Sequence, residues 1–555
     1  MSWKIVEKYR ALLAAEEGEI ATRRGGTLSV CLLYPNRYRI AMSNLGFQTV
    51  YAQLNGIPGI QCERAFLPDP EDFREYEKSG SRLVSLETQR PLCDFDVIAF
   101  SVSFESDYLH IPQLFRLSGI PPYAGDRGAA DPLVLAGGAA LFLNPEPVAA
   151  FMDIVCLGES EPMLPALANL LLSDEVASRH DLLTKAMHLP GIYVPAFYEI
   201  HYEGPSVVSR RPLHGAPAVV TRQVATELDR HPTGSVILTP DTEFSDLYLI
   251  ELSRGCPRGC RFCAAGFIYE PYRQRSLTAV EAQVAEGLRH RVKLGLVGAA
   301  VSDYREIGAL CRHIREAGGT ISVSSLRIDG LDDEMIRVLR ESGHKTVALA
   351  PEGGSQRMRD LIRKNISEEQ ILAACDRLIG HDILNLKLYF IIGLPTETAD
   401  DLEEMTGLVS RIRERVVEAA RKNKRLGEVL LSVNPFIPKP FTPFQWCGME
   451  ALKSLEKKLA YLQKAVRRMA NVRLQAESPR DAWLQALLSR GDRRLAAFLV
   501  RADELGSVKQ SLRETVPEAD LLVTRTIPLS ETLPWDFIGG ANRERLLAEY
   551  RKSVG

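Results

Sequence analysis

The chain has 555 residues, which is too long for one hydrophobic core, and we expect roughly three or four domains. Hydrophobic residues make up 45% and charged residues 25%, ordinary globular values that exclude disordered, collagen-like and low-complexity chains. The net charge of -3 excludes a protein that coats nucleic acid by charge alone. No apolar run approaches the roughly 18 residues of a membrane helix, and the acidic start is not a signal peptide. We therefore expect a cytoplasmic enzyme with no membrane partner.

The first two segments are an N-terminal helix and an α/β domain. Residues 1–26 have the pattern of an amphipathic surface helix. Residues 27–175 alternate apolar, β-rich runs with helical stretches, which predicts a Rossmann-like parallel sheet covered by helices on both faces. The turns at Gly137, Gly138 and Gly158–Glu161 come after predicted strands, where open α/β sheets bind ligands.

The rest of the chain divides into three further segments. Residues 176–245 are rich in turn formers and contain a stretch at 190–213 that alternates like a β-hairpin, so we predict a connector with some strand. Residues 246–446 contain six candidate strands separated by helical stretches, which predicts a partial (β/α)6 barrel. Residues 447–555 have an almost entirely helical pattern.

Three of the ten cysteines are clustered in sequence. They are Cys256, Cys260 and Cys263, and they follow directly on an apolar strand. Pro257 and Gly259 favour a loop around them. Three thiolates on a short loop can hold a four-iron cluster and leave one iron open to a substrate, whereas electron-transfer clusters have four cysteine ligands. The other seven are typical of small buried side chains: Cys31, Cys62, Cys93, Cys156, Cys311, Cys375 and Cys447.

Zinc and disulfide sites explain the three clustered cysteines less well. Structural zinc has four ligands, usually in CxxC pairs, and no histidine or further cysteine lies near enough in sequence to complete a local site. A disulfide with one thiol left over is unusual in the cytosol. The spacing therefore favours an iron–sulfur cluster.

The CxxxCxxC spacing with Phe262 before the last cysteine resembles the signature of the radical S-adenosylmethionine enzymes. In that superfamily the motif follows the first strand of a six-stranded partial barrel. The resemblance implies that Cys256, Cys260 and Cys263 hold a [4Fe-4S] cluster. It also implies that the fourth iron chelates the amine and carboxylate of S-adenosylmethionine. Electron transfer from a reductant such as flavodoxin or ferredoxin would then give a 5′-deoxyadenosyl radical.

Longer segments resemble an uncharacterised subfamily of these enzymes, which has an N-terminal domain similar to cobalamin-binding domains. They include ALAPEGGSQRMRDLIRKNIS, LKLYFIIGLPTET and LAGGAALFLNPEPVAAFMDIVCLGESE. The resemblance implies that Gly137 and Gly138 lie in a loop that contacts the nucleotide tail of cobalamin. The DxHxxG motif of many such domains is absent, and the loop at 36–46 has no histidine. A substrate-binding or vestigial domain is the alternative.

Four residues after the second and third barrel strands are candidates for binding the methionyl group. The resemblance implies that the turn at 297–304 binds its amine. The family's glutamate is missing there, so Ser302, Asp303 or backbone carbonyls would take its role. Ser324 and Arg327 end the third strand, and a guanidinium pairs well with the methionyl carboxylate. Ordinary surface turns and ion pairs are the alternatives.

The later strand ends supply further candidates. Glu352 follows the fourth strand, and the resemblance implies that it accepts hydrogen bonds from the ribose hydroxyls. Ile392 and Gly393 are expected to flank the adenine, with Gly393 leaving room for the ring, although Ile392 is also a plain core residue. Lys439 lies between two prolines at the end of the sixth strand, where it would bind a substrate anion or remain solvated.

Two enzymatic functions and one binding function remain open from the sequence. The leading prediction is a radical enzyme, in one form a cobalamin-dependent methyltransferase that acts on an unactivated carbon. The alternative is a cobalamin-independent radical enzyme that modifies RNA or a ribosomal component, because some segments resemble the methylthiotransferases. A non-catalytic iron–sulfur protein would not need Glu352 and its following glycines at a barrel end.

Overall fold

The computed structural model describes residues 2–18, 27–323, 326–331 and 333–554. The N-terminal unit is one six-stranded sheet in the order β2-β1-β3-β4-β5-β6, parallel except for β6. Its strands are β1 Leu28–Tyr34, β2 Ile60–Phe66, β3 Val97–Ser101, β4 Leu133–Gly137, β5 Ile154–Cys156 and β6 Ile192–Tyr193. Its helices are α1 Trp3–Ala14, α2 Tyr38–Met42, α3 Leu45–Gly56, α4 Pro70–Ser79, α5 Ile111–Ser118, α6 Ala139–Leu143, α7 Ser160–Leu171 and α8 Arg179–Ala186.

This sheet confirms the predicted Rossmann-like unit. Its central strands are buried on both faces, and they therefore read as continuous apolar runs in the sequence. β1 lies between β2 and β3, so the direction of winding reverses between β1 and β3. Open α/β sheets bind ligands at such a switch point, beyond the carboxyl ends of the strands.

The connector contains the predicted hairpin. Strands β7 Tyr198–Glu203 and β8 Ser206–Pro212 pair antiparallel, with a register shift after His201. The alternation of exposed and partly buried residues along β7 fits a hairpin with one solvent-facing side. A short strand, β9 Val220–Thr221, follows.

The second α/β unit is built from two parallel sheets and one short antiparallel pair. The strands are β10 Leu247–Glu251, β11 Ser253–Arg254, β12 Arg273–Gln274, β13 Lys293–Val297, β14 Thr320–Val323, β15 Thr346–Glu352, β16 Asn385–Ile392, β17 Val429–Pro435 and β18 Val472–Ala476. The parallel sheets are β10-β13-β14 and β15-β16-β17-β18. The helices are α9 Ala265–Ile268, α10 Leu277–His290, α11 Ile307–Glu316, α12 Asp333–Glu341, α13 Gln356–Leu361, α14 Glu368–Gly380, α15 Ala399–Asn423 and α16 Leu452–Val466.

The parallel α/β fold agrees with the prediction, and the number of strands differs from it. An isolated bridge between Leu326 and Leu349 links the two sheets, and no closed barrel forms among the described residues. β18 adds a seventh parallel strand beside β17, so the predicted boundary at residue 446 cuts through this sheet. The sequence of β18, VRLQA, is short and polar, and the helices on both sides hide it from a pattern search.

The C-terminal segment is otherwise helical, as predicted. It contains α17 Pro479–Arg490, α18 Leu495–Leu505, α19 Val508–Thr515, α20 Ala519–Thr524 and α21 Arg543–Val554. A two-residue strand, β19 Ile538–Gly539, pairs parallel with β9 of the connector. None of the described helices is long and apolar enough to cross a membrane.

Candidate functional site

The three clustered cysteines lie on one loop, residues 255–272, which we call the cluster loop. It begins after β11 and ends before β12, and these two short strands pair antiparallel at its base. Gly255 and Gly259 have φ angles of +82° and +69°. A Cβ atom on Gly255 would lie 2.7 Å from the carbonyl oxygen of Tyr269. Glycine is therefore needed where the loop leaves the strand.

The donor set of the cluster loop fits an iron–sulfur cluster. Cys256, Cys260 and Cys263 are partly buried free thiols. Burial raises the pKa of Cys256, and it raises the pKa of Cys263 to about 11, so both thiols would lose protons on binding a metal. Within the described part of the chain, no three His, Cys, Asp or Glu side chains converge on a single ion. Thiolates of a cluster instead bind different irons.

The candidates after the second and third barrel strands form a charged network beside the cluster loop. Arg258 of this loop donates from Nε to Oδ2 of Asp303 at 2.8 Å. It also pairs with Asp329 at 3.3 Å, and Asp329 accepts two hydrogen bonds from Arg327 at 2.9 and 3.0 Å. Arg327 therefore already has a carboxylate partner. The Oγ of Ser302 is buried and has no hydrogen-bond partner among the described residues. The predicted Ser324 lies outside the described residues.

Glu352 lies close enough to the cluster loop that its charge adds slightly to the effect of burial, which raises the pKa of Cys263. Burial raises the pKa of Glu352 itself, and Lys364, whose Nζ lies 3.5 Å from Oε1, partly opposes the rise. Its φ of +64° is uncommon for a residue with a side chain. The two following glycines allow other parts of the protein to pack closely. A Cβ on Gly353 would lie 2.6 Å from Arg359 N, and one on Gly354 would lie 2.6 Å from Met405 Cβ.

Ile392 and Gly393 lie at the end of β16. Ile392 is a buried core residue. Gly393 has a φ of +76°, and its N–H donates to Glu397 Oε2 at 2.7 Å. A Cβ on Gly393 would lie 2.6 Å from Leu455 Cδ2, so the space left by the missing side chain admits α16. Room for an adenine ring at Gly393 stays a prediction.

A cavity of about 850 Å³ joins the two α/β units. Its inner part lies between the N-terminal sheet and helices α3 and α7 and is lined by aliphatic side chains such as Leu32, Leu54 and Leu167. Its outer part reaches the inner face of the barrel sheet at Glu251 and Ser322. The cavity thus combines an apolar interior with a polar outer part, as ligand sites commonly do.

The turns that the sequence singled out form walls of this cavity. Gly137, Gly138 and the 158–161 turn all line it. Gly138 has a φ of +116°, and an added Cβ would lie 2.3 Å from the carbonyl oxygen of Val102. Two aromatic side chains in the lining are well exposed, Phe104 at 53% and Phe244 at 40%.

Two buried ion-pair groups connect the N-terminal unit to the barrel, and the sequence analysis did not find them. Arg254 donates to Glu159 Oε2 at 2.9 Å and to Glu161 Oε1 at 2.7 Å. On the other connection, the Nζ of Lys439 lies 2.6 Å from Glu105 Oε1. Burial alone would raise the pKa of Glu161, but Arg254 outweighs it and lowers that pKa. The acidic turn at 158–161 and Arg254, two positions before Cys256, can be read from the sequence, but the sequence does not show that they pair.

The comparisons with known proteins match both α/β units. The family model "Radical SAM proteins, N-terminal" matches residues 46–195, and the model "Radical SAM superfamily" matches residues 250–409. An uncharacterised protein of Methanocaldococcus jannaschii is 29% identical over 477 residues, which are 85% of this chain and 90% of that protein. The tRNA-2-methylthio-N(6)-dimethylallyladenosine synthase of Clostridium tetani is 22% identical over 307 residues, 52% of this chain and 64% of that enzyme.

Among solved structures, the cobalamin-dependent S-adenosylmethionine radical enzyme OxsB, with aqua-cobalamin and S-adenosylmethionine bound, gives a TM-score of 0.47 at 16% identity. That match covers 72% of this chain and 56% of OxsB. The second family model includes the three cysteines, the last two residues of β10 and the strands β11 to β16. The chain belongs to the radical S-adenosylmethionine superfamily of enzymes.

Proposed function

We propose that this protein is a cobalamin-dependent radical S-adenosylmethionine enzyme that transfers a methyl group to an unactivated carbon. The observation that carries the proposal is the cavity, which connects the carboxyl ends of the N-terminal sheet with the inner face of the barrel beside the cluster loop. Ligands held at the two sheets could react together only if these ends meet.

The chain's own residues would bind the cluster and S-adenosylmethionine and would keep water away from them. The three cysteines would hold the cluster, which when bound would supply one electron for the cleavage of S-adenosylmethionine to methionine and a 5′-deoxyadenosyl radical. The reductant would be a one-electron donor such as flavodoxin or ferredoxin. Glu352, partly buried near Cys263, would accept hydrogen bonds from the ribose hydroxyls. The N-terminal unit would exclude water, because such a radical reacts with most C–H groups.

The cavity suits a corrinoid, which when bound would carry the methyl group. Its aliphatic inner part would take the nucleotide tail, and the turns at Gly138 and 158–161 would flank it. Asn44 of the loop at 36–46 lines the cavity, but its side chain already has partners within the protein. Its Oδ1 accepts from Phe47 N and its Nδ2 donates to Ser103 Oγ, both at 2.9 Å. No histidine lies in this loop or among the described residues that line the cavity, so these residues would offer no imidazole to a corrinoid.

A titration with hydroxocobalamin tests this proposal. The reconstituted protein should bind the corrinoid tightly, with a spectrum that lacks an axial nitrogen. Ala99→Phe should abolish binding because Ala99 lines the cavity and the larger side chain would fill it. Ala177→Phe, at an exposed position of the same unit, is the control and should bind normally. No binding at high micromolar corrinoid would contradict the cobalamin-dependent function and leave the N-terminal unit as a lid or substrate platform.

The second candidate is a cobalamin-independent enzyme that modifies RNA or a ribosomal component, and the similarity to the tRNA methylthiotransferase of Clostridium tetani supports it. Such enzymes resemble this chain in the barrel but usually bind a second cluster through three N-terminal cysteines. Here Val30 pairs in register with Cys62, and Cys31 is the next residue. Cys31 and Cys62 therefore point to opposite faces of the sheet, where they cannot share a cluster. This geometry favours the first candidate.

A further inference from the structure

Glu159 of the N-terminal unit contacts two arginines of the second α/β unit beside the cluster loop. Its carboxylate accepts hydrogen bonds from Arg254 at 2.9 Å and from Arg273 at 2.9 and 2.6 Å. The N–H of Ala225 donates to it at 2.8 Å. All three side chains are largely buried: Glu159 is 5% exposed, Arg254 11% and Arg273 8%. Charge-assisted hydrogen bonds of this kind fix geometry strongly.

The two arginines mark the base of the cluster loop. Arg254 and Arg273 pair across β11 and β12, the antiparallel strands that close this loop. Only Gly255 separates Arg254 from Cys256. Each arginine presents its guanidinium to the same carboxylate, so Glu159 holds the two ends of the loop together. A change in this carboxylate would therefore reach the first cysteine ligand through a very short stretch of backbone.

The backbone that carries Glu159 is itself fixed to the connector beside β9. Gly158 has a φ of +128°, and an added Cβ would lie 2.2 Å from the carbonyl oxygen of Gln223. The N–H of Glu159 donates to the same carbonyl at 2.9 Å. This turn also lines the cavity, so a ligand in the cavity would touch the segment that holds the loop base.

We propose that Glu159 is a positioning residue for the iron–sulfur site: it clamps Arg254 and Arg273 at the base of the cluster loop, so that the N-terminal unit sets the geometry of the cysteine ligands. The inference rests on one part of the proposed function, namely that the cluster loop binds an iron–sulfur cluster; it does not require cobalamin. It makes the N-terminal unit part of the cluster site, whatever ligand the cavity takes.

The test compares Glu159→Gln with Glu146→Gln as a matched control. Glu146 is a fully buried carboxylate that joins the N-terminal unit to the C-terminal segment through Arg493 at 3.1 Å, away from the cluster loop. The readout is the alkylation rate of each cysteine in the metal-free full-length protein, measured by mass spectrometry after a short iodoacetamide pulse. We expect Cys256 to react about tenfold faster in Glu159→Gln than in the wild type, because the loop opens more often.

A second readout uses the reconstituted protein. Glu159→Gln should change the electron paramagnetic resonance spectrum of the reduced cluster, and Glu159→Asp, which keeps the charge, should restore much of the wild-type spectrum. Glu146→Gln should lower thermal stability without altering either the spectrum or the alkylation of the clustered cysteines. Equal alkylation rates in Glu159→Gln and the wild type, or the same changes in both glutamine variants, would overturn the inference. Because the alkylation assay needs neither iron nor corrinoid, its outcome is separate from that of the hydroxocobalamin titration.

Discussion

Replacing Lys439 with methionine should destabilise the contact between the N-terminal unit and the barrel in a pH-dependent way. Glu105 is 4% exposed and accepts hydrogen bonds from Lys439 and, at 3.1 Å, from Gln485. Burial alone would raise the pKa of Glu105, but Lys439 outweighs it and holds this pKa below its ordinary value. Breaking a buried pair from one side costs about 3–5 kcal/mol, and the 18% exposure of Lys439 favours the lower end.

The sign of the pH dependence follows from the direction of the pKa shift. In the wild type the folded pKa of Glu105 is lowered, so its contribution is complete above the ordinary carboxyl pKa and is lost only as the pH falls through the lowered value. In Lys439→Met, burial without the ammonium would raise the folded pKa. The variant would then lose about 1.4 kcal/mol per pH unit between the ordinary and the raised pKa. At pH 5 the variant already lacks the wild-type contribution of Glu105, and the further loss makes its deficit larger at pH 8 than at pH 5.

Urea unfolding followed by tryptophan fluorescence measures this effect, because Trp446 is buried in the segment that follows Lys439. Lys439→Met combined with Glu105→Gln should remove most of this pH dependence, since Glu477, the other carboxyl group whose pKa Lys439 lowers, is only partly buried. Lys422→Met, in an exposed pair with Glu418, is the control and should change little. A deficit of the same size at pH 5 and pH 8 would refute the reasoning.

Three further predictions concern the proposed ligands. Alanine at all three cysteines of the cluster loop should abolish the absorption near roughly 400 nm that thiolate–iron clusters show, and a variant that kept four irons per chain would contradict the assignment. Glu352→Gln should weaken binding of S-adenosylmethionine by about 1.5–3 kcal/mol in an equilibrium dialysis measurement, whereas the exposed Glu403→Gln should bind normally; an unchanged dissociation constant for Glu352→Gln would move the ribose site elsewhere. Gly138→Ala should cost about 1–3 kcal/mol in thermal stability and weaken hydroxocobalamin binding while iron content stays normal, because alanine is strained at a φ of +116°; wild-type stability would show that the turn can rearrange.

The sequence predicted the features that depend on local pattern. Buried parallel strands such as β1 and β4 are continuous apolar runs, and the connector hairpin alternates with the period of a strand. The cysteine motif was equally local, since its ligands and the glycines that shape the loop lie in one short segment. These parts of the fold and site could therefore be predicted without tertiary information.

The missed features depend on residues that are distant in sequence. β18 was missed because a short polar strand is stable here only by pairing beside β17. The partner of Lys439 was missed because Glu105 lies 334 residues earlier, and nothing in either segment marks the other. Arg327 was expected to be available for a ligand. In the structure its guanidinium instead donates to the carboxylate of Asp329, two positions later in the chain. Long-range pairing and side-chain geometry decide these cases, and a pattern search sees neither.

The helix α21 has a consequence for how the protein is made. Glu549 of this helix lies 3.2 Å from the guanidinium of Arg261 in the cluster loop, across 288 residues of chain. Tyr550 packs with Phe262 against the same buried apolar group. During synthesis the three thiols leave the ribosome long before α21 can cover their flank. The cluster loop of the nascent chain would therefore be open and oxidisable, and later docking of α21 would cover this flank of the loop.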